Sequence, residues 1–163
     1  MISLIQLRHD IIQPALNDLG IYSENAEELL VATCCQESLL GSYVRQVHGP
    51  AYGIYMCEKD TYLDIWNNYI SNNTVLKEKI LKSNNYSAPP SFDHLIFNLK
   101  YATQIARIFY SRIKVPLPAK NDLEGIWNYY KVHYNTVGGK ATESEFMNNY
   151  LKFVKKGDRK SVV

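Results

Sequence analysis

Residues 23–41 have the sequence SENAEELLVATCCQESLLG, and this stretch decides the fold class. Ser23 is a favoured N-cap residue, and the acidic side chains of the next two turns complement the positive end of a helix dipole. The helical pattern continues to Leu40, and Gly41 is the expected stop. We therefore predict a long amphipathic helix that buries one face in the core.

Six further segments have helical periodicity. In the first, from Leu4 to Leu19, apolar residues recur at three- and four-residue steps before Gly20. The others cover residues 59–70, 74–82, 92–113, 121–133 and 143–155. Gly and Pro residues make 48–53 a loop, and no strand alternation is found. The sequence predicts an all-α fold of about seven helices in one domain, 1–163, with a site between helices.

The composition excludes several classes of protein. Of the 163 residues, 46% are hydrophobic and 21% charged, and the net charge is +2. This charge is too small for a nucleic-acid-binding face, so no nucleic acid partner is expected. No segment approaches the roughly 20 apolar residues of a membrane span, and the start of the chain lacks the pattern of a signal peptide. The three cysteines and four histidines are scattered, so no metal site is expected.

Glu37 is the residue in the long helix that suggests chemistry. A projection at 100° per residue places it in one narrow sector with apolar side chains, while Glu27, Glu28, Cys35 and Ser38 point elsewhere. A carboxylate in that sector would lose hydration, and its pKa would rise. A raised pKa suits a general acid that must hold a proton near neutral pH. The alternative is that the apolar sector ends here and Glu37 emerges into solvent.

Four short motifs resemble the lysozyme-like lytic transglycosylase domains of bacteriophages. They are ATCCQESLLG at 32–41, GPAYGIYM at 49–56, DIWNNY at 64–69 and YYKVHYNT at 129–136. The resemblance covers roughly residues 26–150, and its specific elements are Glu-Ser, Gly-Ile-Tyr and Tyr-Asn in that order. It implies a lysozyme-like helical domain with an active-site cleft beside a buried central helix.

The resemblance also implies roles for individual residues. Glu37 matches the catalytic acid, and Ser38 matches a residue that steadies the acid or a nearby sugar. Tyr134 and Asn135 match the late pair of the family. In that pair, the tyrosine hydroxyl can hydrogen-bond the catalytic carboxyl and the amide can bind substrate.

The turn that lines the cleft departs from the family pattern at one position. Tyr55 falls in this turn, and Met56 stands where the family usually has Gln. A polar sugar contact is thereby lost, although a methionine can pack against a sugar face or an acetamido methyl group. Met56 is also the best evidence for the alternative function, a noncatalytic virion module that binds glycan or is structural.

The resemblance implies cleavage of the MurNAc–GlcNAc β-1,4 bond of peptidoglycan. A lytic transglycosylase needs only one carboxyl group and gives a 1,6-anhydro product, whereas a muramidase needs a second acidic group. Glu58, Asp60 and Asp64 are the candidates for that second group. No cofactor is needed for either reaction. A cysteine peptidase fits poorly, because Cys34 and Cys35 fall in mid-helix.

The expected partners and location follow from the same resemblance. The substrate would be bacterial peptidoglycan glycan strands, and other phage virion proteins are further candidate partners. We expect a soluble monomer made in the host cytoplasm without a signal peptide. It would act on the cell wall either as a virion component or after release through a membrane pore.

Overall fold

The first helix, α1, covers residues 4–19 and packs along the long helix predicted from 23–41. The computed structural model describes the backbone of residues 1–136 and 138–158 and the side chains of all but the last three of these. Positions 137 and 159–163 of the predicted 1–163 domain lie outside the described residues. Helix α1 has a π-helical turn, Leu7–Ile12, between the α-helical segments Leu4–Gln6 and Gln13–Leu19. It ends at Gly20, which has a left-handed φ of 69°.

The central helix, α2, covers Glu24–Ser38, and Ser23 caps it by accepting a hydrogen bond from the Ala26 N–H. Every residue of α2 from 26 to 35 is buried. The four residues that the projection placed away from the apolar sector, Glu27, Glu28, Cys35 and Ser38, are all buried as well. The prediction that α2 buries only one face was therefore too narrow. Helix α2 is buried on all sides because α1 and three later helices surround it.

Six helices follow α2 in the described part of the chain. They are α3 at residues 59–70 (Lys59–Ile65 and the π-helical turn Trp66–Ile70), α4 at Thr74–Ser83, α5 at His94–Phe97, α6 at Leu99–Ser111, α7 at residues 123–135 (Leu123–Tyr130 and the π-helical turn Lys131–Asn135) and α8 at Glu143–Asp158. Only isolated bridges of Tyr52 with Arg45 and Cys57 interrupt this pattern among the described residues. The all-α prediction is confirmed.

Two of the predicted helices differ from the structure for a local reason. The segment 92–113 was predicted as one helix, but it divides at Asn98, where φ is −105° and ψ is 92°. The Asn98 side chain accepts a hydrogen bond from the Tyr101 N–H at 2.9 Å and so starts α6. Helix α2 was predicted to reach Leu40, but it ends at Ser38. Leu39 and Leu40 have φ of 50° and 55°, and this left-handed pair turns the chain away from the helix axis.

Polar contacts fix α2 to its neighbours. The Arg8 guanidinium on α1 pairs with Glu27 at 3.0 Å and with Glu28 at 2.8 Å. The Tyr150 hydroxyl on α8 donates to the same Glu28 at 2.6 Å. Both carboxylates are nearly buried, so these partners replace the water that they lose. In the described part of the chain, no helix has the length and apolar character needed to span a membrane.

Candidate active site

Glu37 lies in the last turn of α2, where the helix leaves the core. Its side chain is half-buried, and its Oε1 accepts a hydrogen bond of 2.5 Å from the Tyr130 hydroxyl on α7. The left-handed turn that begins at Leu39 ends the helix two residues later, so Glu37 opens onto a cleft. The alternative of a freely solvated Glu37 is therefore excluded.

Burial sets the acidity of Glu37. Loss of hydration raises the pKa of this carboxyl from 4.5 to about 7, and the negative charge of Glu145 on α8 acts in the same direction. The hydrogen bond from Tyr130 opposes the rise, because it stabilises the ionised form. The expected rise in pKa is confirmed. Glu37 holds its proton up to about neutral pH and can both give and take one there.

A groove runs past Glu37. It consists of a cleft of about 510 Å³ that contains Glu37 and a second cavity of about 280 Å³. The two cavities share Met56, Glu58 and Asn135, so they adjoin each other. The cleft around Glu37 is lined also by Tyr43, Arg45, Gln46, Val47, Ala51, Gly139 and Lys140. Its walls thus come from the segment after α2 and from the segment after α7.

Ser38 lies under the groove rather than in it. Its side chain is fully buried, its hydroxyl donates to the Cys34 carbonyl at 3.1 Å, and its oxygen accepts from the Gly41 N–H at 2.9 Å. These bonds fix the left-handed turn after α2. A direct contact of Ser38 with a sugar does not agree with this burial, whereas a role in steadying the helix end that carries Glu37 does.

Tyr55 is also buried, and its hydroxyl is 3.1 Å from the Thr103 hydroxyl oxygen. Its backbone carbonyl accepts a hydrogen bond of 2.5 Å from the Tyr134 hydroxyl. The suggested bond from Tyr134 to Glu37 is therefore wrong, and Tyr130, one turn earlier, makes it instead. The rings of Tyr130 and Tyr134 stack 5.9 Å apart on one face of α7, and the Tyr130 hydroxyl is the one that bonds to the acid.

Met56 and Asn135 line both cavities. Met56 has a left-handed φ of 49°, and its half-buried side chain forms part of the groove wall. The Asn135 Oδ1 accepts a hydrogen bond of 2.8 Å from the Lys131 ammonium group. The groove thus brings together Glu37, Met56 and Asn135, with Tyr55 and Tyr134 forming its floor.

Of the three candidates for a second acidic group, only Glu58 lies in the groove, where it lines both cavities. Asp64 forms an ion pair with Arg112 at 2.5 Å, and hydrogen bonds from Asn68 and from Arg112 lower the pKa of Asp64. Asp60 is exposed and lines neither cavity. Glu58 is therefore the carboxylate that could act alongside Glu37.

The cysteines do not form a nucleophilic site. Burial raises the thiol pKa of Cys34 to about 12 and also raises that of Cys35. Burial likewise raises the pKa of Cys57, which is half-buried, to about 12. A nucleophilic thiol needs the opposite shift. The described residues contain no cluster of His, Cys, Asp or Glu side chains that could hold a metal ion.

The sequence did not point to Tyr130 or Lys131. A signal was present, because Tyr130 precedes Tyr134 by four residues and so lies on the same face of one helix. Comparison of the chain with known protein families, with curated proteins and with solved structures found no match.

Proposed function

We propose that the protein is a phage-encoded, lysozyme-like glycosidase that cleaves the MurNAc–GlcNAc β-1,4 bond of peptidoglycan, and that it acts as a lytic transglycosylase. Glu37 is the catalytic acid and base in this proposal. Met56 and Asn135 contact the glycan strand, and Ser38, Tyr55 and Tyr134 support the site from below. The enzyme reaches the wall as a virion component or through a membrane pore formed at lysis.

One observation carries the proposal. A half-buried carboxyl with a pKa of about 7 opens onto a groove and accepts a hydrogen bond from a tyrosine. Glycoside cleavage needs a carboxylic acid that is still protonated near neutral pH. The cleft that contains Glu37 is open at the surface, so a bound substrate can reach the carboxyl group.

The reaction can be followed atom by atom. Protonated Glu37 donates its proton to the glycosidic oxygen, the bond from that oxygen to the muramic C1 breaks, and GlcNAc leaves as an alcohol. The ionised Glu37 then takes the proton of the muramic 6-hydroxyl, whose oxygen bonds to C1 and closes the 1,6-anhydro ring. Glu37 ends protonated, as it began, and water is not consumed.

Glu58 supports a second candidate reaction, muramidase hydrolysis. It lies in the same groove as Glu37, where an ionised carboxylate can activate water or stabilise positive charge at C1. The product would then be a reducing muramic acid. The two reactions differ in their dependence on Glu58, because the transglycosylase has no need of a second carboxylate.

Mass spectrometry of the fragments released from purified peptidoglycan tests the proposal. We compare the wild type with Glu37→Gln and Glu58→Gln, and use Glu78→Gln on α4, an exposed position, as the matched control. Circular dichroism checks that each variant is folded. The wild type, Glu78→Gln and Glu58→Gln should release anhydro-muropeptides, and Glu37→Gln should release none.

Other outcomes have definite meanings. Reducing muramic products that disappear in both Glu37→Gln and Glu58→Gln would assign the muramidase reaction. No release by a folded wild type would refute the enzymatic proposal. Sedimentation of that wild type with insoluble peptidoglycan would then support the noncatalytic glycan-binding module.

A further inference from the structure

The cleft that contains Glu37 has a cation on each of its two walls. Arg45 comes from the segment after α2, and Lys140 comes from the segment after α7. Both residues are exposed, and among the described residues neither side chain has a carboxylate partner. Two other surface lysines, Lys100 and Lys120, do pair with carboxylates. Arg45 and Lys140 can therefore bind an anion that enters the cleft.

Backbone hydrogen bonds fix the wall that carries Arg45. Arg45 forms an antiparallel bridge with Tyr52, which is bridged in turn to Cys57. In the next position, the Gln46 N–H donates to the Ala51 carbonyl at 2.8 Å. The backbone at Arg45 is thus tied to the chain that follows the loop, and the long side chain reaches the cleft from a fixed point.

Lys140 is fixed in a different way, through the residues on both sides of it. The Lys131 ammonium group donates to the Gly139 carbonyl at 2.9 Å and to the Ala141 carbonyl at 3.0 Å. A Cβ atom added to Gly139 would lie 2.3 Å from the Asn135 carbonyl oxygen, so this segment packs closely on the end of α7. Lys140 therefore lines the cleft from a backbone that is held on both sides.

The acidity of Glu37 does not depend on the two cations. Burial, the Tyr130 hydrogen bond and the charge of Glu145 account for the pKa of the Glu37 carboxyl. Arg45 and Lys140 are not among these causes, although both line the same cleft. Their place in the cleft is thus explained better by a charge on the substrate than by the catalytic acid.

The wall that carries Arg45 also exposes apolar side chains. Tyr43 and Val47 line the same cleft and are 46% and 61% exposed. Exposed apolar groups beside a cleft are typical of a binding surface, and an aromatic ring offers a large apolar face to a ligand. This wall therefore combines side chains that can pack on a sugar ring with a cation that can bind an anion attached to it.

We propose that Arg45 and Lys140 bind carboxylates of the peptide stem on muramic acid, and that they select glycan strands with negatively charged stems. The inference deepens the proposed function, on which it rests for the identity of the strand. The sugar rings of this strand are neutral, and its carboxylates belong to the stem, which is joined to the muramic lactyl group. Hydrogen bonds from a guanidinium or ammonium group to a carboxylate are stronger than bonds between neutral groups.

The charges in the groove also give the stem a direction. Glu58 lies where the two cavities adjoin, whereas both cations line only the cleft that contains Glu37. A stem carboxylate is repelled by Glu58 and attracted by Arg45 and Lys140. The muramic residue that Glu37 attacks therefore binds with its stem towards the two cations and away from the second cavity.

NMR titration with MurNAc-L-Ala-D-Glu tests the proposal without cleavage, because this ligand has no glycosidic bond to another sugar. Its diamide is the matched ligand, with the same shape and no carboxylate. The wild type should bind the diacid about 10-fold more tightly than the diamide, with backbone amide shifts at 43–47 and 139–141. Arg45→Gln and Lys140→Gln should each weaken binding of the diacid about threefold to fivefold and leave binding of the diamide unchanged.

Lys82→Gln is the control, since it removes one charge from an exposed lysine that lines neither cavity. It should bind both ligands as the wild type does. The double variant of Arg45 and Lys140, checked for folding by circular dichroism, should bind diacid and diamide equally. Equal binding of the two ligands by the wild type would overturn the proposal, and so would a preference for the diacid that persists in the double variant.

A phosphate polymer of the cell wall is the rival ligand for the two cations. Glycerol phosphate, titrated at the same ionic strength, represents it. If glycerol phosphate binds the wild type more tightly than the diacid does, and Arg45→Gln and Lys140→Gln abolish this binding, the assignment to stem carboxylates is wrong. Weaker binding of glycerol phosphate than of the diacid supports the assignment.

Cleavage assays separate this inference from the proposed function. The wild type should cleave peptidoglycan more slowly after its carboxylates are converted to methylamides, and the double variant should cleave both substrates at the same reduced rate. Selective binding of the diacid by a wild type that cleaves nothing would retain the anion site and refute the glycosidase. Cleavage that depends on neither the two cations nor the stem carboxylates would retain the glycosidase and refute this inference.

Discussion

Replacing Glu37 by Gln should make the protein more stable at neutral pH. The pKa of Glu37 rises from 4.5 to about 7 on folding, because the carboxyl loses hydration. Below pH 4.5 the carboxyl is protonated in both the folded and the unfolded chain, so it does not change the free energy of unfolding. As the pH rises from 4.5 to about 7, only the unfolded chain releases the proton, so the free energy of unfolding falls; above pH 7 the loss is complete.

The size of this effect follows from the pKa difference. At about 1.4 kcal/mol per pH unit, the difference corresponds to about 3 kcal/mol. Water in the groove screens the half-buried carboxyl, so we expect about 2 kcal/mol. Gln has nearly the shape of the protonated acid and can accept the Tyr130 hydrogen bond, but it cannot ionise. Its stability advantage over the wild type should therefore grow with pH and then level off.

Urea denaturation followed by tryptophan fluorescence measures the difference. Wild type, Glu37→Gln and the exposed control Glu78→Gln are unfolded at a series of pH values from about 4 to about 8. The wild-type and Glu37→Gln curves should separate between pH 4.5 and about 7, while Glu78→Gln follows the wild type. Parallel curves for wild type and Glu37→Gln would refute the desolvation argument.

Two other substitutions should lower stability, as measured by the same urea titration. Ser38→Ala leaves the Gly41 N–H without its partner beneath the groove and should cost about 1–2 kcal/mol, whereas Ser42→Ala at an exposed position should change little. An equal effect of the two serine variants would contradict the capping role. Arg8→Met removes the cation that pairs with two nearly buried glutamates of α2 and should lower the free energy of unfolding by about 3 kcal/mol. A loss no larger than that of an ordinary surface substitution would contradict the stabilising role of these ion pairs.

Local signals were sufficient to predict most of the helices. Ser23, the acidic first turn and the apolar spacing predicted α2, and Gly20 marked the end of α1. The division at Asn98 was missed because the apolar pattern continues across it, and only the backbone angles show that Asn98 starts a new helix. The end of α2 was missed because left-handed backbone at Leu39 and Leu40 opposes the usual preference of leucine, and tertiary contacts must maintain it.

The site was harder to predict than the fold. Helical spacing predicted that Glu37 loses hydration and has a raised pKa, but it did not rank the positions of α2 by burial, because Cys35 and Ser38, which it placed outside the apolar sector, are more buried than Glu37. The partner of Glu37 depends on how α7 is rotated against α2, which no local pattern determines. Tyr134 was therefore chosen where Tyr130 makes the bond. Ser38 and Tyr55 were predicted to steady the acid or a sugar and to line the cleft, and both side chains are buried, because the sequence does not show whether a side chain faces the groove or the core.

The burial of α2 affects how the site can change during evolution. Glu37 is on a helix that cannot unfold locally without opening the whole core. The position of Glu37 is therefore maintained as long as the protein is folded. The groove walls belong to the segments after α2 and α7, which lie at the surface and tolerate substitution and insertion more readily. Selection can thus reshape what the groove accepts without displacing the group that reacts. Met56 lies on such a wall, where a change of side chain leaves Glu37 in place.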